Sequence, residues 1–166
     1  VDDLVDLLDL EAIEVNIFRG VSPQENRQRI FGGQVAGQAL VAAARTVDED
    51  RPVHSLHAYF LRPGDPTVPV LYEVDRIRDG RSFTTRRVVG IQHGRAIFNL
   101  AASFHIREVG LEHLEPMPDV PAADDLPNRA ERFADMEMED PFKDHPHPLD
   151  MRYITTSPLR RTEPLP

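Results

Sequence analysis

An α+β domain, with an antiparallel sheet wrapped around a central helix, is the fold class that this sequence predicts. Two observations carry it. Residues 34–47 (QVAGQALVAAARTV) are small and apolar on most sides of a helix, and a helix of that kind is normally buried. Residues 53–107 break into alternating segments separated by turn signals, the pattern of antiparallel strands. A third observation sets the boundary. Five of the 15 prolines fall in the first 110 residues and ten in the remaining 56. The folded domain is therefore expected over residues 1–110, followed by a Pro-rich linker over 111–166.

The elements follow in order. Asp2 or Asp3 can cap a short helix running to Leu10, with Leu4, Val5, Leu7 and Leu8 available for burial. Ile13, Val15 and Ile17 alternate with polar residues, which predicts a first strand. The helix at 34–47 comes next. Gln34, Gln38 and Arg45 lie within about 40° of one another on its helical wheel and form a single polar stripe. Its alanines and Gly37 allow a curved sheet to wrap close, which is the physical plan of a hot-dog fold. Residues 53–62 and 70–78 read as strands separated by the turn Pro63-Gly64-Asp65-Pro66. Asp79-Gly80 signals a hairpin leading into a strand over 82–92, and His93-Gly94 signals another. In the last strand, 95–107, Ala96, Phe98, Leu100, Ala102, Phe104 and Ile106 share one face. The expected topology is a strand, a helix and a four-strand meander. Beyond it, Glu115-Pro116-Met117-Pro118-Asp119-Val120-Pro121 suits neither a helix nor a central strand. Residues 129–138 are expected to form a short acidic helix.

Bulk composition excludes several function classes. The chain has 166 residues and a net charge of −9. That charge argues against nucleic acid as a partner, because phosphate binding needs a basic surface. No long apolar run suggests a membrane span. The start lacks the order of a secretory signal, so a cytoplasmic location is expected. There is no cysteine, which excludes disulfides, thiolate metal sites and a cysteine nucleophile. His145-Pro146-His147 lacks further ligands and reads as a tail rather than a metal site. No cofactor is expected. Ser22 and Ser157 lack the turn context of a hydrolase nucleophile.

Five segments together resemble a known family. NIFRG (16–20), FGGQVAGQAL (31–40), HSLHAYFLRPGD (54–65), DGRSFTTRRV (79–88) and ASFH (102–105) are similar, in order and spacing, to the N-terminal half of type II acyl-CoA thioesterases. The resemblance covers residues 4–120. It implies a parent enzyme with two hot-dog domains in one chain, joined by a Pro-rich linker. Such an enzyme hydrolyses fatty acyl-CoA to a free fatty acid and CoA. It also implies that the catalytic Asp, Thr or Ser, and Gln lie in a second half whose motifs these residues do not contain. This fragment alone is then expected to be inactive.

Candidate site residues can be named. Gly32 and Gly33 permit close backbone approach just before the helix. With Gln34, they are candidates for binding the substrate at a helix start, the alternative being a tight turn that admits the helix into the sheet. His54 matches a family histidine suspected of catalysis, and is the catalytic candidate here. Its simpler reading is a buried, hydrogen-bonded structural histidine. His54 and His57 are three apart on a strand and so should face opposite sides, unless a bulge intervenes. Phe83 is expected to pack on the helix. Arg86 and Arg87 should face opposite sides of their strand, with Arg86 a candidate for CoA phosphates. Arg62 and Asp65 are expected to form an ion pair across the turn.

The expected partners are acyl-CoA and a second hot-dog domain, in cis or in trans, because an open sheet edge invites pairing. A homo-oligomer follows from the same argument. The alternative is a non-catalytic module that binds acyl-CoA or dimerises. A hydratase reading fails for want of an Asp–His pair near the helix start.

Overall fold

The computed structural model describes residues 2–23, 28–135 and 149–155. It divides into two compact units, Asp2–Gly110 and the residues from Leu111 onward. The first begins with helix α1 (Asp2–Leu8), followed by the short strands β1 (Glu11–Glu14) and β2 (Ile17–Gly20). Helix α2 (Gly32–Ala44) comes next, then β3 (Val53–Phe60), β4 (Val70–Asp79), β5 (Phe83–Gln92) and β6 (Arg95–His105). The six strands form one antiparallel sheet in the order β1-β2-β4-β5-β6-β3.

The sheet closes around α2 through strict alternation. On β4, Val70, Tyr72 and Val74 are buried while Leu71, Glu73 and Asp75 are exposed. Leu100, Ala102 and Phe104 of β6 and Val88 of β5 join them in one core with Val35, Ala39, Ala42 and Ala43 of α2. The alanines let the helix backbone lie close to the strands. Each larger core side chain contributes about 1.5–3 kcal/mol by leaving water.

The polar stripe of α2 is tied down rather than solvated. Gln38 is fully buried. Its Nε2 donates to the Leu7 and Val21 carbonyls at 2.7 and 3.1 Å, and its Oε1 accepts from the Tyr72 hydroxyl at 2.8 Å. Arg45 donates to Leu10 O and pairs with Asp9 at 2.5 Å. The stripe thus fastens α1 and the end of β2 to the helix.

Burial raises the pKa of Tyr72 well above its ordinary value of 10.0. The unfolded chain therefore ionises this hydroxyl first as pH rises. Its contribution to stability is full below pH 10.0 and is lost above it. Urea unfolding from pH 8 to 11 should show a falling midpoint at the alkaline end. Tyr72→Phe should flatten that fall, and an equally steep fall in the variant would assign the effect elsewhere.

Three expectations are corrected. The single strand expected over Ile13, Val15 and Ile17 is a hairpin of β1 and β2. It turns at Asn16, whose φ is 65°, and it leaves Ile13 and Val15 exposed. The first helix stops at Leu8, short of Leu10, and Val5 is exposed. The four-strand meander holds only for β4-β5-β6, because β3 lies at the far edge beside β6. The reason lies in the loop after β3, where Pro63, Pro66 and Pro69 prevent a tight hairpin. Leu61 N and Arg62 N instead bond to Ile97 O. Gln92 then holds the crossing chain, with its Nε2 donating to Asp65 O and Val68 O and its Oε1 accepting from Asp65 N. The expected turns at Asp79-Gly80 and His93-Gly94 join β4 to β5 and β5 to β6, the second with positive φ at both residues.

In the second unit, residues 111–122 contain no helix or strand. A 3-10 turn (Ala123–Asp125) and helix α3 (Arg129–Asp135) follow. The part of the expected acidic helix beyond residue 135 lies outside the described residues. Asn128 and Glu131 cap α3 reciprocally: Glu131 N donates to Asn128 Oδ1 and Asn128 N to Glu131 Oε2. Arg152 donates to the Ala123 and Leu126 carbonyls and pairs with Asp150 at 2.8 Å.

Candidate functional site

Helix α2 begins at the Phe31-Gly32-Gly33-Gln34 segment. Phe31 is extended, with φ −64° and ψ 127°, and caps the helix without a side-chain hydrogen bond. Gln34 is buried, and its Nε2 donates to Val21 O at 3.1 Å and Ser22 Oγ at 3.0 Å. Gln34 therefore anchors the helix start to the chain leaving β2. Gly32 has a steric role, since a Cβ there would meet the Phe60 ring at 3.0 Å. Gly32 and Phe60 border a pocket of about 310 Å³ whose lining also includes Arg29, Arg62, Val35, Ile97 and Phe98.

The other candidates do not converge on this end. Arg86 donates to Thr46, just past the C-terminal end of α2, about 20 Å along the helix from Gly32 at 1.5 Å per residue. His54 lies six residues before Phe60 on β3, also about 20 Å away at the rise of a strand.

His54 is not buried, and this corrects the simpler reading of it. It is exposed on the outer face of the sheet, with Nε2 2.9 Å from Ser103 Oγ. Its ring meets Phe83 and His105 at centroid distances of 5.6 and 5.9 Å. The cause is a bulge between Val53 and Ser55. The bulge also overturns the expectation that His54 and His57 face opposite sides. His57 pairs with Ala101 and Ser55 with Ser103 on the outer face, so the extra residue brings His54 round to the same side. Phe83 is half exposed against His54 and His105, not packed on the helix.

Arg86 cannot serve CoA phosphates. It is 1% exposed. Its Nε donates to Thr46 Oγ1, Nη1 to the Arg78 and Thr85 carbonyls, and Nη2 to Thr46 O and Asp79 Oδ1. A guanidinium has five N–H donors, and all are engaged. Arg87, on the opposite face, pairs with Asp75 at 3.4 Å.

The expected Arg62–Asp65 pair is also absent. Arg62 Nη1 donates to Ala96 O at 2.6 Å. Asp65 accepts from the Thr67 hydroxyl and backbone N–H and lies 3.1 Å from His93 Nε2. The Thr67 hydrogen bonds, and then His93, hold its carboxyl below the usual value. Among the described residues no three His, Cys, Asp or Glu side chains come together as a metal site. His145, His147 and Ser157 lie outside the described residues.

Comparison with known proteins places the fold in a lineage. A model of the acyl-CoA thioesterase N-terminal domain matches residues 21–105. The chain belongs to the acyl-CoA thioesterase family. Mouse acyl-coenzyme A thioesterase 8 is 50% identical over 137 residues, covering 81% of this chain and 42% of that protein. An acyl-CoA thioesterase II from Mycobacterium marinum matches with a TM-score of 0.69 at 52% identity, over 79% of this chain and 49% of that one. A hot-dog protein from Alicyclobacillus acidocaldarius matches with a TM-score of 0.67 at 27% identity, over 76% and 48% of the two chains. The sheet wrapped on α2 is accordingly a hot-dog fold. The chain spans about half the length of the curated relatives it matches.

Reading the sequence missed the arginine pair Arg29 and Arg62 at the pocket and the Ser103 partner of His54. Neither leaves a local signal, because each pair is assembled by chain crossings that only the sheet order reveals.

Proposed function

We propose that this chain is the first half of an acyl-CoA thioesterase, and that the intact enzyme hydrolyses fatty acyl-CoA. Water adds at the thioester carbonyl, the carbon–sulfur bond breaks, and the products are a free fatty acid and the CoA thiol. The water-activating Asp, Thr or Ser, and Gln of the resembling family belong to the second half. This half supplies the hot-dog scaffold, one wall of the acyl tunnel and the interface, and residues 111–166 serve as the linker. Gly32, Gly33 and Gln34 line the approach of the substrate to the helix start. His54, bonded to Ser103, acts by supporting the edge strand.

One observation carries the reading. Within a unit matched by the thioesterase family, β3 is a sheet edge whose apolar residues lie open. Leu56 is 51% and Phe60 63% exposed, although both pair with inward-facing residues of β6. An open apolar edge of this kind favours pairing with another strand. A second hot-dog domain, in cis or from another copy, fits it and makes a homo-oligomer. We place the enzyme in the cytoplasm. No helix among the described residues is long and apolar enough to cross a membrane.

Leu56→Arg tests the interface. The position is half exposed, so the unit itself should fold. Sedimentation should show the unsubstituted chain pairing, with the pairing of the variant weakened at least about tenfold, as expected for a charge buried without a partner. Unchanged assembly would remove β3 from the interface.

A further inference from the structure

Three rings meet on the outer face of the sheet, at the end where β3 begins. His54 of β3 lies 5.6 Å from Phe83 of β5 and 5.9 Å from His105 of β6, centroid to centroid, and Phe83 lies 4.2 Å from His105. His54 Nε2 is also 2.9 Å from Ser103 Oγ of β6. These contacts fasten a weak point. β3 lies at the sheet edge beside β6, and the bulge between Val53 and Ser55 interrupts the ladder there. Pro52, just before it, has no N–H to give, and its carbonyl accepts from His105 N at 3.1 Å. The charged groups around the rings can be named. Glu108, past the end of β6, lies 3.4 Å from His105 Nε2. Thr85, opposite Ser103 on β5, is uncharged, and Arg87 further along β5 is paired with Asp75 at 3.4 Å. His57 shares the outer face, its ring 4.8 Å from that of Tyr59. Among the described residues, the carboxylate of Glu108 thus stands against two imidazoles.

We propose that His54, Phe83 and His105 form a pH-sensitive clasp, which holds the start of β3 on β6 while the imidazoles are neutral and releases it when both are charged. Histidine is the side chain that ordinarily changes charge between pH 5 and 8. Neutral rings at these spacings attract one another through edge and face. Two like charges about 6 Å apart at a protein surface instead repel by enough to shift an equilibrium roughly fivefold. Glu108 can balance one of the charges, and it sits beside His105. His54 is then the uncompensated cation, on the strand with least to hold it. Moving the start of β3 outward separates the charges. The far end stays fastened, since Leu61 N and Arg62 N bond to Ile97 O, so the release is local. β3 is the strand that the second hot-dog domain is proposed to meet, and that docking then weakens in acid. This consequence rests on the proposed function. The clasp itself lies within one unit, so its failure would leave the proposed function standing.

Amide hydrogen exchange of the chain at about pH 7.5 and about pH 5 tests the clasp, each rate being divided by its intrinsic value at that pH. The His105 N–H, bonded to Pro52 O, reports on the clasped end, and the Leu61 N–H, bonded to Ile97 O, on the far end. In dilute buffer the protection of His105 is expected to fall about fivefold in acid, with Leu61 unchanged. Salt at about 1 M screens charges more than about 3 Å apart and should remove most of the fall. His54→Gln and His105→Gln each delete one of the two charges, and each should abolish it. An unchanged melting temperature at about pH 7.5 would show that the variants fold, and if one does not, the salt series on the unsubstituted chain decides. No fall at His105, an equal fall at Leu61, a fall untouched by salt, or a fall that persists in either folded variant would overturn the inference.

Discussion

Replacing Arg86 with Met is expected to cost the first unit about 3 kcal/mol, because several buried acceptors lose their donor at once. The guanidinium bridges three parts of the fold. It reaches Thr46 just past the end of α2, Arg78 at the end of β4, and Thr85 on its own strand. Asp79, its acidic partner, is 62% exposed, so water can take over that carboxylate. The loss therefore arises mainly from the Thr46, Arg78 and Thr85 carbonyls, not from a stranded charge. For a domain of this size, about 3 kcal/mol lowers the melting temperature by roughly 10–20 °C. Arg86→Lys should recover little, because an ammonium has three donors in a compact head where five are engaged. Thermal unfolding followed by circular dichroism gives the comparison. A melting point within a few degrees of the parent would show that the network is not structural, and would reopen Arg86 as a ligand for phosphate.

Gly20→Ala should be comparably damaging, by about 3 kcal/mol from overpacking and broken hydrogen bonds. A Cβ on Gly20 would lie 2.5, 2.7 and 2.9 Å from the Oε1, Cδ and Nε2 atoms of Gln38. The Gln38 amide cannot swing aside, since Leu7, Val21 and Tyr72 hold it in a fully buried position. Relief would have to come from breaking those bonds. The clash is specific to that pair, which makes a double-mutant cycle informative. Gln38→Ala alone strands the Tyr72 hydroxyl and two carbonyls and should also destabilise. In that background, however, Gly20→Ala should cost close to nothing, because the space is empty. Additive costs would refute the steric account.

Both positions show how far the sequence could be read. The elements whose boundaries come from local chemistry were legible. Asp79-Gly80 and His93-Gly94 mark tight turns, and the small residues of α2 mark a helix meant for burial. The same small residues already pointed to a hot-dog plan, and the five family segments added the link to acyl-CoA thioesterases. What stayed hidden depends on contacts between distant segments. Ile13, Val15 and Ile17 alternate like one strand, yet Asn16 takes a positive φ and splits them, and Asn was the residue to suspect there. β3 and β4 are neighbours in sequence, but the proline-rich loop carries the chain across the sheet. The bulge at His54 turns a histidine expected inside to the outer face. Arg86 and Arg87 were rightly placed on opposite faces, but only the packing of Thr46 over β5 shows that Arg86 serves the fold. The polar stripe of Gln34, Gln38 and Arg45 was visible, and its partners in α1 and β2 were not.

The central claim is that these residues form half of a thioesterase and need the other half for chemistry. Release of free thiol from a fatty acyl-CoA should be measured for this chain alone and for the same chain joined to a second hot-dog domain carrying the Asp, Thr or Ser, and Gln. The account predicts no hydrolysis above background from the chain alone and sustained turnover from the joined protein. Robust turnover by the chain alone, or none from a folded joined protein, would contradict it.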